Sequence, residues 1–201
     1  MAKNICILDY GLGNILSLKN AISYLGYKNY LFSDTKKKNF DCLIIPGVGS
    51  FAKAMSLINQ NGYKKIISEI KDKNVLILGI CLGMQLMFET GYEEGESKGL
   101  SLLKGEIKQI DKKLQPKLPH IGWKETKFFD DDKKSFLSKY NNQKFYYVHS
   151  YEAKLKDEYN ILATSTYNKY EFVAGVKDKN LIGLQFHPEK SGEVGLELIK
   201  D

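Results

Sequence analysis

The sequence predicts an α/β protein with an open, mostly parallel central sheet, helices on both faces, and added antiparallel strands in the C-terminal half. Three observations carry this. Short apolar runs alternate with amphipathic helical stretches through the first ninety or so positions, the pattern of parallel βαβ units. After Gly91 the helical spacing gives way to successive β-rich runs separated by polar turns. No repeat, low-complexity tract or linker divides the 201 residues, so the expectation is a single domain over residues 1–201, large enough for a sheet covered on both faces.

Each element has a local reason. Lys3 to Asp9, in "NICILDY", reads as a first strand. "YGLGN" then turns into an amphipathic helix from Ile15 to Leu25, ended by Gly26. "YKNYLF" is a second strand and "DCLIIPG" a third. Ala52 to Lys71 has helical spacing with a break at Asn61-Gly62. Val75 to Leu78 is a short β-forming run suited to a strand buried on both faces. From Met84 the apolar residues fit a helix, with Gly91 as its stop. "GLSLLKGEIKQI", "KFYYVHSYEA", "NILATSTY", "FVAGVKDK" and "LIGLQFHPE" then read as strands added to the same sheet. "SGEVGLELIKD" closes the chain as a short helix, with Ser191 as candidate N-cap and Glu193 in its first turn. "FFDDDKKSFLSKYNNQ" and "DTKKKNF" read as solvated surface segments. The order of elements is that of a flavodoxin-like sheet.

Composition narrows the function. The formal net charge is +6, but the lysines are interleaved with acids rather than gathered in a stripe, so nucleic acid is not an expected partner. No run approaches a membrane span, and the first strand begins without a signal-peptide layout. Three cysteines argue against a disulfide framework and for a reducing cytoplasm. "DYGLGN" lacks the third glycine of a dinucleotide fingerprint, no GKS/GKT phosphate loop is present, and no Cys or His pair has metal spacing. No metal and no cofactor are expected.

The chemistry centres on Gly79-Ile80-Cys81-Leu82-Gly83, where a strand turns sharply into a helix. Such a corner crowds the positions two before and two after its apex, and glycine at both removes the clash. This is the nucleophile-elbow arrangement with cysteine in the serine position. It is expected to expose Cys81 at the carboxyl end of the sheet, where a helix N-terminus favours a thiolate. A buried structural cysteine is the competing reading, and the one adopted for Cys6 and Cys42 within their strands. The rest of the chain decides for Cys81. His187 follows an apolar strand, and Pro188 bars further ladder pairing. Glu189, two residues on, can orient the imidazole as a nucleophile's base requires. The loop "PGVGSF" after the third strand and the N–H of Leu82 can supply oxyanion donors, although PGVG alone is more often just a turn. The Gly-flanked peptide entering Val48 is free to rotate, which suits it to gating that site.

"GICLGMQ" together with "QFHPEKS" resembles the triad (class I) glutamine amidotransferases, whose Cys-His-Glu site hydrolyses glutamine to glutamate and ammonia. "DYGLGN", "PGVGSF", "PHIGW", "FYYVHSY" and "QFHPEKSG" together resemble the glutaminase subunits of that family that serve histidine biosynthesis. The resemblance runs from Ile7 almost to the C-terminus. It implies Cys81 as nucleophile, His187 as general base and acid, and Glu189 as its orienter. It places the Val48 and Leu82 amides at the oxyanion, and Gly49, Gln85, His149 and Ser150 around L-glutamine. It also implies a heterodimer with a (βα)8-barrel cyclase subunit that receives the ammonia, with His120, Trp123, Lys124 and Tyr146 on segments facing that partner. From the residues alone, His120, Trp123 and Tyr146 read as core or surface aromatics. One departure stands out: the family usually reads PHIGWN, and Lys124 replaces that Asn with a donor-only cation. A paralogue supplying ammonia to another acceptor, such as a sugar-amidinating enzyme, stays open. A non-catalytic interaction module is disfavoured because Cys81, His187, Glu189 and Gln85 are all present, and a stand-alone cysteine hydrolase because the resemblance extends to Gln85 and "PHIGW".

Overall fold

The computed structural model describes residues 3–34, 39–113, 117–129 and 136–201. The N-terminal half runs β1 (Asn4–Ile7), α1 (Ile15–Tyr24), β2 (Lys28–Leu31), β3 (Cys42–Ile45), α2 (Phe51–Gln60), α3 (Tyr63–Asp72), β4 (Leu76–Ile80) and α4 (Leu82–Leu86). It continues through β5 (Thr90–Gly91), β6 (Ser97–Lys98), β7 (Gly105–Gln109), β8 (His120–Phe128), β9 (Gln143–His149) and β10 (Tyr151–Leu155). The chain ends with β11 (Ile161–Tyr167), β12 (Tyr170–Asp178), β13 (Leu181–Leu184) and α5 (Gly192–Lys200).

The main sheet has the order β2-β1-β3-β4-β13-β12-β11-β8-β9. Its first five strands are parallel and reproduce the flavodoxin-like order. The next four are antiparallel extensions. The added strands do not all join this sheet, however. A second sheet has the order β10-β7-β5-β6, and "KFYYVHSYEA" is split at Ser150 between the two. Strand-forming composition reports a pleated, half-buried surface but not which edge the strand will pair with, so this division was not readable.

Alternation along β1 shows why its apolar run is continuous. Ile5 and Ile7 pack with Leu18 and Ile22 of α1, while Cys6 and Leu8 pack with residues of α2 and α3 on the other face. A third, aromatic cluster joins Phe128, Phe145, Tyr147, Phe172 and Phe186 to Val194 and Leu198 of α5. Leu137 and Tyr140 belong to it too, which corrects the reading of "FFDDDKKSFLSKYNNQ" as a surface segment. Residues 136–140 form a 3₁₀ turn, where positions three apart share a face, and that face is buried. Residues 130–135 of that stretch, and 35–38 of "DTKKKNF", lie outside the described residues.

Two helix expectations also change. The long helix does break at Gly62, which takes a left-handed φ of 69° between α2 and α3. The helix after Cys81, expected to reach Gly91, stops at Leu86. The carbonyls of Leu86, Met87 and Phe88 accept from the N–H groups of Leu100 to Leu103, which take the bonds a longer helix would use. Gly91 instead lies in β5, against the ring of Phe51. Ser191 precedes α5 but makes no capping bond with its side chain. Its hydroxyl donates to His187 O (2.7 Å) and accepts from Tyr146 N (3.0 Å), so it braces the His-Pro-Glu turn. Among the described residues no helix is long and apolar enough to cross a membrane.

Candidate active site

Cys81 sits at the apex between β4 and α4 with φ 53° and ψ −110°, a conformation costly for any L-residue. Both flanking glycines are required. A Cβ on Gly79 would meet Met84 N and Met87 Sδ at 2.7 Å, and one on Gly83 would lie 1.8 Å from Ile45 O. The Cys81 N–H donates to Leu184 O (2.7 Å), tying the corner to the end of β13. The side chain is not exposed as expected: the residue is 6% accessible and faces a pocket instead of open solvent. Segment 148–151 and the loop after β3 line that pocket with it.

His187 follows β13 and is buried, as is Glu189. Its Nδ1 lies 2.8 Å from Glu189 Oε1. A carboxylate accepts, so Nδ1 carries the proton and Nε2 is the nitrogen left to act. Burial alone would lower the pKa of His187, but the Cys81 sulfur and the Glu189 carboxylate outweigh it and push it up to about 10. The cysteine, imidazole and carboxylate are thus brought to one corner, at the carboxyl ends of β4 and β13.

The pocket beside Cys81 has a volume of about 260 Å³. Val48, Gly49, Leu82, Gln85, His149 and Ser150 all line it, as do Glu93, Pro119 and Tyr151, which sequence reasoning missed. Glu93 accepts from the Phe51 N–H (2.7 Å) at the start of α2. Burial raises its pKa, against the Phe51 bond, with Glu94 adding to the rise. In "GYEEGE" it is indistinguishable from a loop acid, and only the fold carries it to the pocket.

One carbonyl organises the polar groups behind the pocket. Tyr151 O lies 2.9 Å from His149 Nδ1 and 3.1 Å from Gln85 Nε2. A carbonyl only accepts, so His149 carries its proton on Nδ1 and its Nε2 is an acceptor. His120 Nδ1, 3.0 Å away, is then the donor to it. His120 is fully buried and stacks on Tyr167 at 4.2 Å. This corrects its expected place on the partner-facing surface. Alternation along β8 turns His120 inward, while Ile121 and Trp123 point out, Trp123 being 49% exposed and edge-on to Tyr146 at 6.0 Å. Lys124 shares the face of His120, with Nζ over the Tyr167 ring at 5.2 Å.

Burial, with help from His149 and Lys124, lowers His120 to about 3. Burial lowers His149 to about 4, against its bond to Tyr151 and with help from His187. Both folded values lie below the ordinary 6.5, so the fold favours the neutral rings. Their contribution to stability is present above pH 6.5 and is lost as the pH falls toward 4. His187 has the opposite sign: its contribution is complete below 6.5 and is lost as the pH rises through about 10. The thermal midpoint should therefore fall on acidification below about 6.5. His120→Phe should flatten that acid limb, as a series of melting curves would show.

Residues 6–201 match the model of the family described as glutamine amidotransferase class-I. The chain is 44% identical over 197 residues to the imidazole glycerol phosphate synthase subunit HisH of Oceanobacillus iheyensis, covering 98% of this chain and 96% of that protein. It is 41% identical over 200 residues to the subunit HisH of Lactococcus lactis subsp. lactis, with coverage of 98% and 96%. To the chloroplastic imidazole glycerol phosphate synthase hisHF of Arabidopsis thaliana it is 38% identical, covering 98% of this chain and 33% of that longer protein. Among solved structures, PurLQS from Thermotoga maritima superposes with a TM-score of 0.77 at 18% identity, covering 100% of this chain and 97% of that one, which speaks to the fold alone. A match from residue 6 to the last residue, together with full-length relatives above 40% identity, leaves one assignment: this chain belongs to the class-I glutamine amidotransferase family.

Proposed function

We propose that this chain is the glutaminase subunit of an imidazole glycerol phosphate synthase. It hydrolyses L-glutamine to L-glutamate and ammonia and passes the ammonia to a (βα)8-barrel cyclase subunit in the cytoplasm. The observation that carries this is an elbow cysteine that lines a small pocket and has the buried His187–Glu189 pair at its sulfur. The names of the full-length relatives support the pathway.

The geometry supports the following reaction. Cys81, as thiolate, attacks the side-chain amide carbon, and the oxyanion forms against the N–H groups of Leu82 and Val48. His187 Nε2 carries the proton to the departing ammonia, then takes one from the water that cleaves the glutamyl thioester. Glu189 holds the ring in the tautomer this needs. Both amide hydrogens of Gln85 are used, toward Tyr151 O and Gln185 Oε1, so it presents a carbonyl oxygen to a ligand. Glu93 supplies the counter-charge for an α-ammonium group. Glu93→Gln should raise the KM for glutamine about ten- to hundredfold, the worth of one charged hydrogen bond, with kcat little changed in steady-state assays.

For the partner, the outward face of β8 and β9 offers Ile121, Trp123 and Tyr146, the aromatic and apolar composition of an interface centre. Lys124 lies on the other face of β8, over Tyr167, so its departure from the family pattern bears little on docking. The test is glutamate release by the purified chain alone, then with the cyclase and its acceptor ligand. The loop at Gly47 to Gly49 has one glycine at φ 109° and can turn its amide toward or away from the oxyanion. One such donor is worth about 10²–10³ in rate, so the complex should exceed the lone chain by that order. A lone chain as fast as the complex would mark a free-standing hydrolase, and no release in either would refute the proposal.

A further inference from the structure

Gln185 stands two residues before His187 and is fully buried. Its amide lies between Cys81 and Gln85: Oε1 is 2.9 Å from Gln85 Nε2, and Nε2 is 3.7 Å from Cys81 Sγ. The direction of this chain is fixed by its far end. Tyr151 O can only accept, so the Gln85 group facing it is the NH₂. The same NH₂ faces Gln185, which must therefore answer with its oxygen. The amide nitrogen of Gln185 is then the group turned to the sulfur. Flipping either amide would set two donors or two acceptors against each other in a buried site.

We propose that Gln185 is a thiolate-stabilising residue, donating an N–H to Cys81 Sγ with a polarity set by the Tyr151 carbonyl through Gln85. The inference rests on Cys81 being the nucleophile. Besides His187, the sulfur also faces Val148 O at 3.8 Å, which is an acceptor. That carbonyl can hold the proton of a thiol but offers nothing to a thiolate. Gln185 offers the reverse and carries no charge, so it does not compete with His187 for the proton in flight. It serves twice, when the thiolate attacks and again when the sulfur leaves the tetrahedral intermediate of thioester hydrolysis.

The test reads the thiol directly. The full chain is alkylated with iodoacetamide across a pH series, and mass spectrometry separates Cys81 from Cys6 and Cys42. In Gln185→Met, which keeps the length and loses the donor, the Cys81 inflection should rise by about one to two pH units, the worth of one hydrogen bond to a charged group. Gln185→Leu is the second variant should the first fold poorly. In the complex the kcat for glutamine at neutral pH should fall about ten- to hundredfold, with KM within about twofold of the wild type. A purely structural role would lower the melting temperature and leave the inflection in place. An unmoved inflection in a folded variant, or a change confined to KM, overturns the proposal and leaves Gln185 as a spacer that aligns Gln85. Alkylation needs no glutamine turnover, so this result is independent of whether the wild-type complex releases glutamate.

Discussion

Cys81→Ala is expected to lose glutamine hydrolysis by at least about 10⁴-fold in kcat, the scale on which removal of a nucleophile acts. Stability should change little. The lost sulfur borders the pocket, so its removal enlarges an existing space and makes no sealed cavity, which is the costly case. The backbone at φ 53° and ψ −110° is as strained for alanine as for cysteine. Cys81→Gly, which relieves the strain, should therefore melt above Cys81→Ala even though both are inactive. An electrophilic glutamine analogue should label Cys81 in the wild type and spare Cys6 and Cys42, which are buried inside their strands. Residual turnover above about a thousandth of wild type in Cys81→Ala, or labelling at Cys6 or Cys42, would remove Cys81 from the proposed role.

The elbow was legible because its requirements are local. A sharp corner forbids Cβ atoms at set offsets, and Gly79 and Gly83 meet that need within five residues. The parallel half was legible for a similar reason: strands buried on both faces must be short, apolar and separated by helices, as β1 and β3 are; β4 departs from this at Leu76, which is 37% exposed. What escaped depends on contacts made over long sequence separations. Glu93 reaches the pocket only because β5 carries the chain back past α2. His120 reads as one more aromatic in "PHIGW" until the pairing of β8 with β9 puts it opposite His149. Gln185 sits within a recognised motif, yet its role depends on Tyr151 and Gln85, which come from other elements. Leu86 ends its helix because a loop many residues later takes the carbonyls, and no local pattern announces that. The burial of Cys81 was missed because the elbow specifies where a side chain projects, not what is folded over it.

The elbow's packing allows a second large effect to be forecast. Gly83→Ala would place a Cβ 1.8 Å from Ile45 O and 2.7 Å from the carbonyl carbon of the same residue. Both are backbone atoms of β3, so no side chain can rotate to make room. A carbon–oxygen contact needs roughly 3.3 Å, so α4 must retreat from β3 by more than an ångström. That retreat breaks two things together. It loosens the packing of Leu82, Met84 and Leu86 in the main core, at a cost of about 3–4 kcal/mol. In a chain this long that corresponds to a melting temperature lower by roughly 10 °C. It also moves Leu82 and Cys81 away from the loop that continues directly from Ile45, and a displacement of about 1 Å at a reacting centre can cost 10²-fold in rate. The matched control is Gly26→Ala. Gly26 has a left-handed φ of 79° but open space around its Cβ position, so it carries the backbone strain alone, about 1 kcal/mol. Calorimetry on the two variants separates the terms. If Gly83→Ala melts as mildly as Gly26→Ala, α4 is not pressed against β3 at Ile45, and the steric reason for a glycine at that position fails.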